Sequence, residues 1–136
     1  MWGVVGALAL MGLFFATMPI ARARHARLAK KRGRTTSESF DALMLRAGVS
    51  GTTSRYLWKN LQAYYHEPLT PHPDDRLESV IAIDRPEIEG LVSHFWSTMR
   101  GHDAFPTRSP LRDDPTVAEL GRYFDSLTGW TVLRAA

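Results

Sequence analysis

The order of apolar and polar positions divides the chain into two unlike parts. Residues 2–20 form an apolar run without one charged side chain, broken only near its end by Pro19. Nineteen helical residues reach about 28 Å, close to the roughly 30 Å hydrocarbon thickness of a bilayer. A basic run follows at once: Arg22, Arg24, Arg27, Lys30, Lys31, Arg32 and Arg34, with no acid before Glu38. Positive charge beside a span tends to stay in the cytoplasm. The pattern therefore predicts a transmembrane anchor over residues 1–21 and a basic juxtamembrane segment over residues 22–34, lying on the membrane surface. The expected location is the inner (cytoplasmic) membrane, single-pass, with the N-terminus outside and the soluble domain in the cytoplasm. A buried soluble helix and a cleaved signal peptide compete with this reading, the latter because Ala21-Arg22-Ala23 looks a little like a cleavage site. A signal peptide, however, carries its positive charge before the apolar segment and not after it.

Beyond residue 34 the pattern becomes that of short amphipathic helices. Thr35-Thr36-Ser37-Glu38 offers a cap for a helix over residues 39–47, with Phe40, Leu43, Met44 and Ala47 on one side. A second helix is expected from about residue 53 to 66, where Tyr56, Leu57, Leu61 and Tyr64 recur at helical spacing until Glu67-Pro68 stops them. Pro68, Pro71 and Pro73 keep residues 68–76 a loop. Residues 80–83 are the one stretch with strand character, and they are few. Asp84 as cap and Pro86 in the first turn then open a helix over residues 86–99. Its Ile88, Leu91, Val92, Phe95 and Met99 stand at i, i+3, i+4, i+7 and i+11, a well-defined apolar face. A last helix spans residues 116–127, with Val117, Leu120, Phe124 and Leu127 on its apolar side. The fold class is all-α: one N-terminal transmembrane helix, then a small bundle of four or five helices. Residues 35–50 form a linker helix, 51–130 the helical domain and 131–136 a tail.

Charge sharpens this division. The net charge of +3 averages two halves. Residues 1–34 hold seven basic side chains and no acid, whereas residues 35–136 hold ten basic and fourteen acidic ones, a net of −4. The sequence pI of 9.6 thus comes from the basic run. Such a run beside a span suits anionic lipid headgroups, at about 1 kcal/mol per Lys or Arg, rather than nucleic acid. The absence of cysteine excludes disulfides, thiolate metal sites and cysteine nucleophiles.

Little in the chain suggests catalysis. His66, His72, Asp74 and Asp75 share a loop but lack metal-ligand spacing, so no metal is expected. His94 reads as a surface histidine beside a core face. Glu87 and Glu89 are two apart, on different sides of their helix, and favour its N-terminus rather than forming a carboxylate pair. There is no phosphate loop and no nucleophile elbow. No catalytic residue, no cofactor and no enzymatic activity are expected. Trp58 and Trp96 lie one position off the apolar stripes, where they either widen the core or mark a partner-binding spot.

The order of helix, proline- and aspartate-rich loop, short apolar patch, central helix, polar loop and closing helix resembles an acyl carrier protein over residues 52–128. The local match runs from Asp75-Arg76-Leu77-Glu78-Ser79 through Asp84-Arg85-Pro86-Glu87-Ile88 to Leu91-Val92, and again over Thr116-Val117-Ala118-Glu119-Leu120. Carrier proteins hold a Gly-x-Asp-Ser-Leu motif whose serine bears phosphopantetheine. Asp84 stands at the motif aspartate, but Arg85 takes the place of the serine, Ala82 that of the glycine and Pro86 that of the leucine. An arginine has no hydroxyl to esterify. Ser79 is the alternative attachment point, although a helix opened there would contain Pro86. Ser126, within Asp125-Ser126-Leu127, ends the final helix instead of opening one. The resemblance implies a carrier-like adaptor or accessory subunit without a prosthetic group, docking a protein partner through Asp84, Arg85, Glu87, Ile88 and Leu91. The other readings are a true carrier modified at Ser79 and a structural subunit of a larger membrane complex.

Overall fold

A computed structural model of the chain describes residues 19, 20, 22–101, 103–105 and 111–129. It separates into two compact units, Met1–Arg34 with Tyr65–Thr70, and Thr35–Tyr64 with Pro71–Ala136.

In the first unit residues 22–32 are helical, and Gly33 ends the helix by donating its N–H to the Ala29 carbonyl. Most basic side chains point outward, while His25 and Ala29, one turn apart, are buried. Tyr65 and Leu69 are the buried side chains of the returning segment, and Arg32 donates to the carbonyl of Thr70.

Here the expectation of a single-pass protein of the inner membrane, N-terminus outside and soluble domain cytoplasmic, is corrected. No helix among the described residues is long and apolar enough to cross a membrane. A span needs about 20 consecutive apolar residues, and the described helix over residues 22–32 is both shorter than that and charged, with six basic side chains. Of the apolar run over residues 2–20 only Pro19 and Ile20 fall within the described residues.

The second unit is helical. Its elements are α1 (Ser37–Arg46), α2 (Gly51–Leu61) continued by a 3-10 turn (Gln62–Tyr64), α3 (Arg85–Arg100) and α4 (Val117–Thr128). Each α-helix begins where a short polar side chain accepts the N–H three residues on. Thr36 accepts from Ser39, Ser50 from Thr53, Asp84 from Glu87 and Thr116 from Glu119. Within residues 35–50, expected as a linker helix, lies α1, which packs on α2.

The centre of the core is aromatic. Phe95 of α3 and Phe124 of α4 stack with ring centroids 4.2 Å apart, and the Tyr56 ring meets both edge-on, at 5.0 and 5.9 Å. Burial pushes the Tyr56 hydroxyl up to about 12. Around this core, polar pins set the register of the helices. The buried Asp125 carboxylate of α4 accepts from the Ser50 N–H (2.7 Å), the Ser50 hydroxyl (2.7 Å) and the Thr53 hydroxyl (2.6 Å), all at the start of α2. Ser54 donates likewise to Asp41 of α1. One turn before Asp125 on the same side of α4, Gly121 lets the helix approach Val49 and Met44.

The loop before α3 is laced to the start of α4. Leu77 N–H donates to the Pro115 carbonyl and Val117 N–H to that of Asp75, both at 2.9 Å. Residues 80–83 are turns and coil rather than a strand, with Ile81 and Ile83 turned into the core. Ala82 between them holds a φ of 64°, which side chains rarely adopt. An isolated bridge between Arg76 and Thr116 is the only extended pairing among the described residues.

Candidate binding groove

Helix α3 presents two different sides at its N-terminal half, and they divide the residues expected to dock a partner. Asp84 is spent as the helix cap, its carboxylate accepting the Glu87 N–H at 3.0 Å. Glu87 faces Tyr64. Burial raises the Tyr64 hydroxyl above its ordinary range, and the charge and hydrogen bond of Glu87, then Asp84, add to that effect. Leu91 is turned into the core, 8% exposed. Arg85 and Ile88 belong to the other side.

That side is a groove of about 260 Å³. Ile88 and Val92, one helical turn apart, form its floor. Phe105, Leu111 and Tyr123 wall it, the last from α4, and Arg85, Glu89 and Ser93 stand at its rim. Phe105 is 49% exposed and is held upright by an edge contact with the Trp96 ring at 5.6 Å. Trp96 is fixed in turn, its indole N–H donating to the Asp103 carbonyl at 2.8 Å. Its displacement from the apolar stripe of α3 thus serves the groove wall.

Arg85 builds the opposite end. Its guanidinium donates to the carbonyls of Leu111 (2.8 Å) and Arg112 (3.3 Å) and pairs with Glu89 across one turn at 3.7 Å. Arg85 is therefore a structural tie, holding Leu111 against the groove. Of the expected docking set the groove unites Arg85 and Ile88. It adds Glu89, Val92, Ser93, Phe105, Leu111 and Tyr123, which the sequence reading left out. Glu89 and Val92 were within reach, four residues after Arg85 and Ile88. Phe105 and Leu111 lie in a loop without periodicity.

The remaining candidates have other surroundings. Ser79 sits in a turn six residues before α3, its hydroxyl donating to Asp114 at 2.7 Å. The Ser79 hydroxyl holds the Asp114 carboxyl below its ordinary value, a lowering that desolvation opposes and that the Ser79 and Glu78 N–H groups and Arg76 reinforce. Ser126 is helical and donates to the Tyr123 carbonyl. The His94 ring meets the Tyr56 hydroxyl through Nδ1. His72 and Asp74 approach to 3.9 Å, and no three His, Asp or Glu side chains among the described residues come together as metal ligands would. Arg22, Arg24, Arg27, Lys30, Lys31 and Arg34 are exposed, and Arg32 is half-buried.

No family model, no curated protein and no solved structure matches this chain. The likeness to acyl carriers rests on the residues quoted above and on nothing wider.

Proposed function

We propose that the helical unit of Thr35–Tyr64 with Pro71–Ala136 is a non-catalytic adaptor that receives one apolar side chain of a protein partner in the α3 groove. The observation that carries this reading is the groove itself, with an aliphatic floor, aromatic walls and a charged rim. Its volume of about 260 Å³ lies below the roughly 300–1,000 Å³ of sites for drug-sized ligands. It suits a single anchoring side chain, the usual centre of a protein interface. Phe105, 49% exposed, presents its ring at the groove wall, where it can meet such a side chain. Three carboxylates are committed to the fold by hydroxyl donors: Asp125 by Ser50 and Thr53, Asp41 by Ser54, Asp114 by Ser79.

The test is a photo-crosslinking amino acid placed at Ser93 on the groove rim and, as control, at Ser126 on an exposed part of α4. In the native cell the label at 93 is expected to give a discrete adduct that Phe105→Ala suppresses, whereas the label at 126 gives none. Equal adducts from both positions would refute the assignment. Intact mass of the same samples separates this reading from a carrier modified at Ser79, because attached phosphopantetheine would appear as added mass lost in Ser79→Ala.

A further inference from the structure

The first unit contains a buried titratable group that the adaptor reading does not use. His25 is 4% exposed although most polar side chains of its helix face outward. Its Nδ1 accepts the backbone N–H of His66 at 3.0 Å. The His66 ring lies with its centroid 4.9 Å away, tilted by 48°, and the Tyr65 ring at 6.1 Å. His25 thus sits at the middle of the contact between the basic helix and the segment that returns along it.

An N–H donor pairs only with a lone pair, so the bond fixes the ring as the neutral tautomer with its proton on Nε2. A second proton can enter only at Nδ1. There it would face the His66 N–H, donor against donor, and that amide would lose its acceptor. The charged residues beside His25 in its helix are all basic. Arg22 precedes His25 by one turn, Arg24 adjoins it and Arg27 is two residues on. From the returning segment His66 and Tyr65 face the ring, and Glu67 is the one acid there, exposed. Three basic residues thus flank His25 along its helix, against one acid on the returning segment.

We infer that His25 is a proton-operated latch, holding residues 65–70 on the basic helix while neutral and releasing them when protonated. The sign follows from proton counting. The released ring, free in water, takes up a proton near pH 6.5, whereas the latched ring must surrender its acceptor to do so. The open state binds more protons, so the latch is held above that pH and weakens below it.

The test is hydrogen–deuterium exchange of the full chain at pH 7.5 and 5.5, corrected for intrinsic exchange rates. Protection of the His66 amide is expected to fall roughly tenfold between the two, the equivalent of one hydrogen bond to a buried group, while amides of α1 stay unchanged. His25→Asn keeps an acceptor near the Nδ1 position but cannot titrate, and should hold residues 65–70 equally at both pH values. His66→Gln keeps the backbone donor and should retain the pH response. Protection independent of pH in the unaltered chain, or an unchanged response in His25→Asn, would overturn the latch. Nitrogen shifts of the His25 imidazole at neutral pH check it without any substitution: a proton on Nδ1 would contradict the bond on which it rests.

Discussion

The approach of α4 to its neighbours can be tested by adding one carbon atom at two places. A glycine in a helix interior is about 1 kcal/mol less favourable than alanine, so propensity alone says that both Gly121→Ala and Gly90→Ala stabilise. The surroundings differ. At Gly90 on α3 a methyl group meets nothing within 4 Å, and the full gain of about 0.5–1 kcal/mol should appear. At Gly121 the new carbon lies 2.8 and 2.9 Å from the two methyls of Val49 and 2.9 Å from the terminal methyl of Met44. Met44 can swing aside, but Val49 is fully buried, β-branched and tied by its N–H to the Met44 carbonyl at 2.9 Å. Overpacking of this kind costs about 1–3 kcal/mol, which exceeds the propensity gain. Gly121→Ala is expected to lose about 1 kcal/mol net, leaving the two variants about 2 kcal/mol apart. Urea unfolding followed by circular dichroism measures this, provided the slopes agree. A Gly121→Ala variant as stable as Gly90→Ala would show that α4 does not approach Val49 as described.

Other expectations are as direct. Asp125→Ala leaves the Ser50 N–H and two hydroxyls without their acceptor in a buried place and should lose about 3 kcal/mol; Asp125→Asn, which keeps the shape, should lose less in the same unfolding assay. Ala82→Gly should stabilise by about 1 kcal/mol, since glycine adopts the φ of 64° without penalty, and a thermal melt shifted upward is the readout. The lowered carboxyl of Asp114 binds its proton more readily in the unfolded chain. Its contribution is therefore complete above about pH 4 and lost as the pH falls through the depressed folded value, so stability plotted against pH should fall less steeply in Asp114→Asn.

Much of the helical layout is legible in the chain because its signals are local. The caps at Thr36, Asp84 and Thr116 need only a short polar side chain and an N–H three residues on, and Pro86 then suits the first turn of α3. The second helix is the exception: its apolar spacing runs on to residue 64, yet the α-helix ends at Leu61 and the last turn tightens to 3-10, a change that periodicity does not register. The groove is only half legible. Ile88 and Val92 follow from the stripe of α3, but the opposite wall depends on Arg85 reaching carbonyls 26 and 27 residues away. Main-chain acceptors are the same at every position, so no residue type announces them. The membrane expectation came from a composition rule applied to residues 2–20, and the described helix that follows them is charged, with its buried face formed by His25 and Ala29.

The central claim is that the α3 groove holds a partner's side chain. Isothermal calorimetry with the partner segment recovered by the Ser93 crosslink tests it most directly, comparing the unaltered chain with Phe105→Ala. Phe105 is half exposed, so its loss should leave folding intact while weakening the dissociation constant tenfold or more, as expected for an aromatic at the centre of an interface. An affinity unchanged by Phe105→Ala would contradict the account and move the docking surface away from the groove.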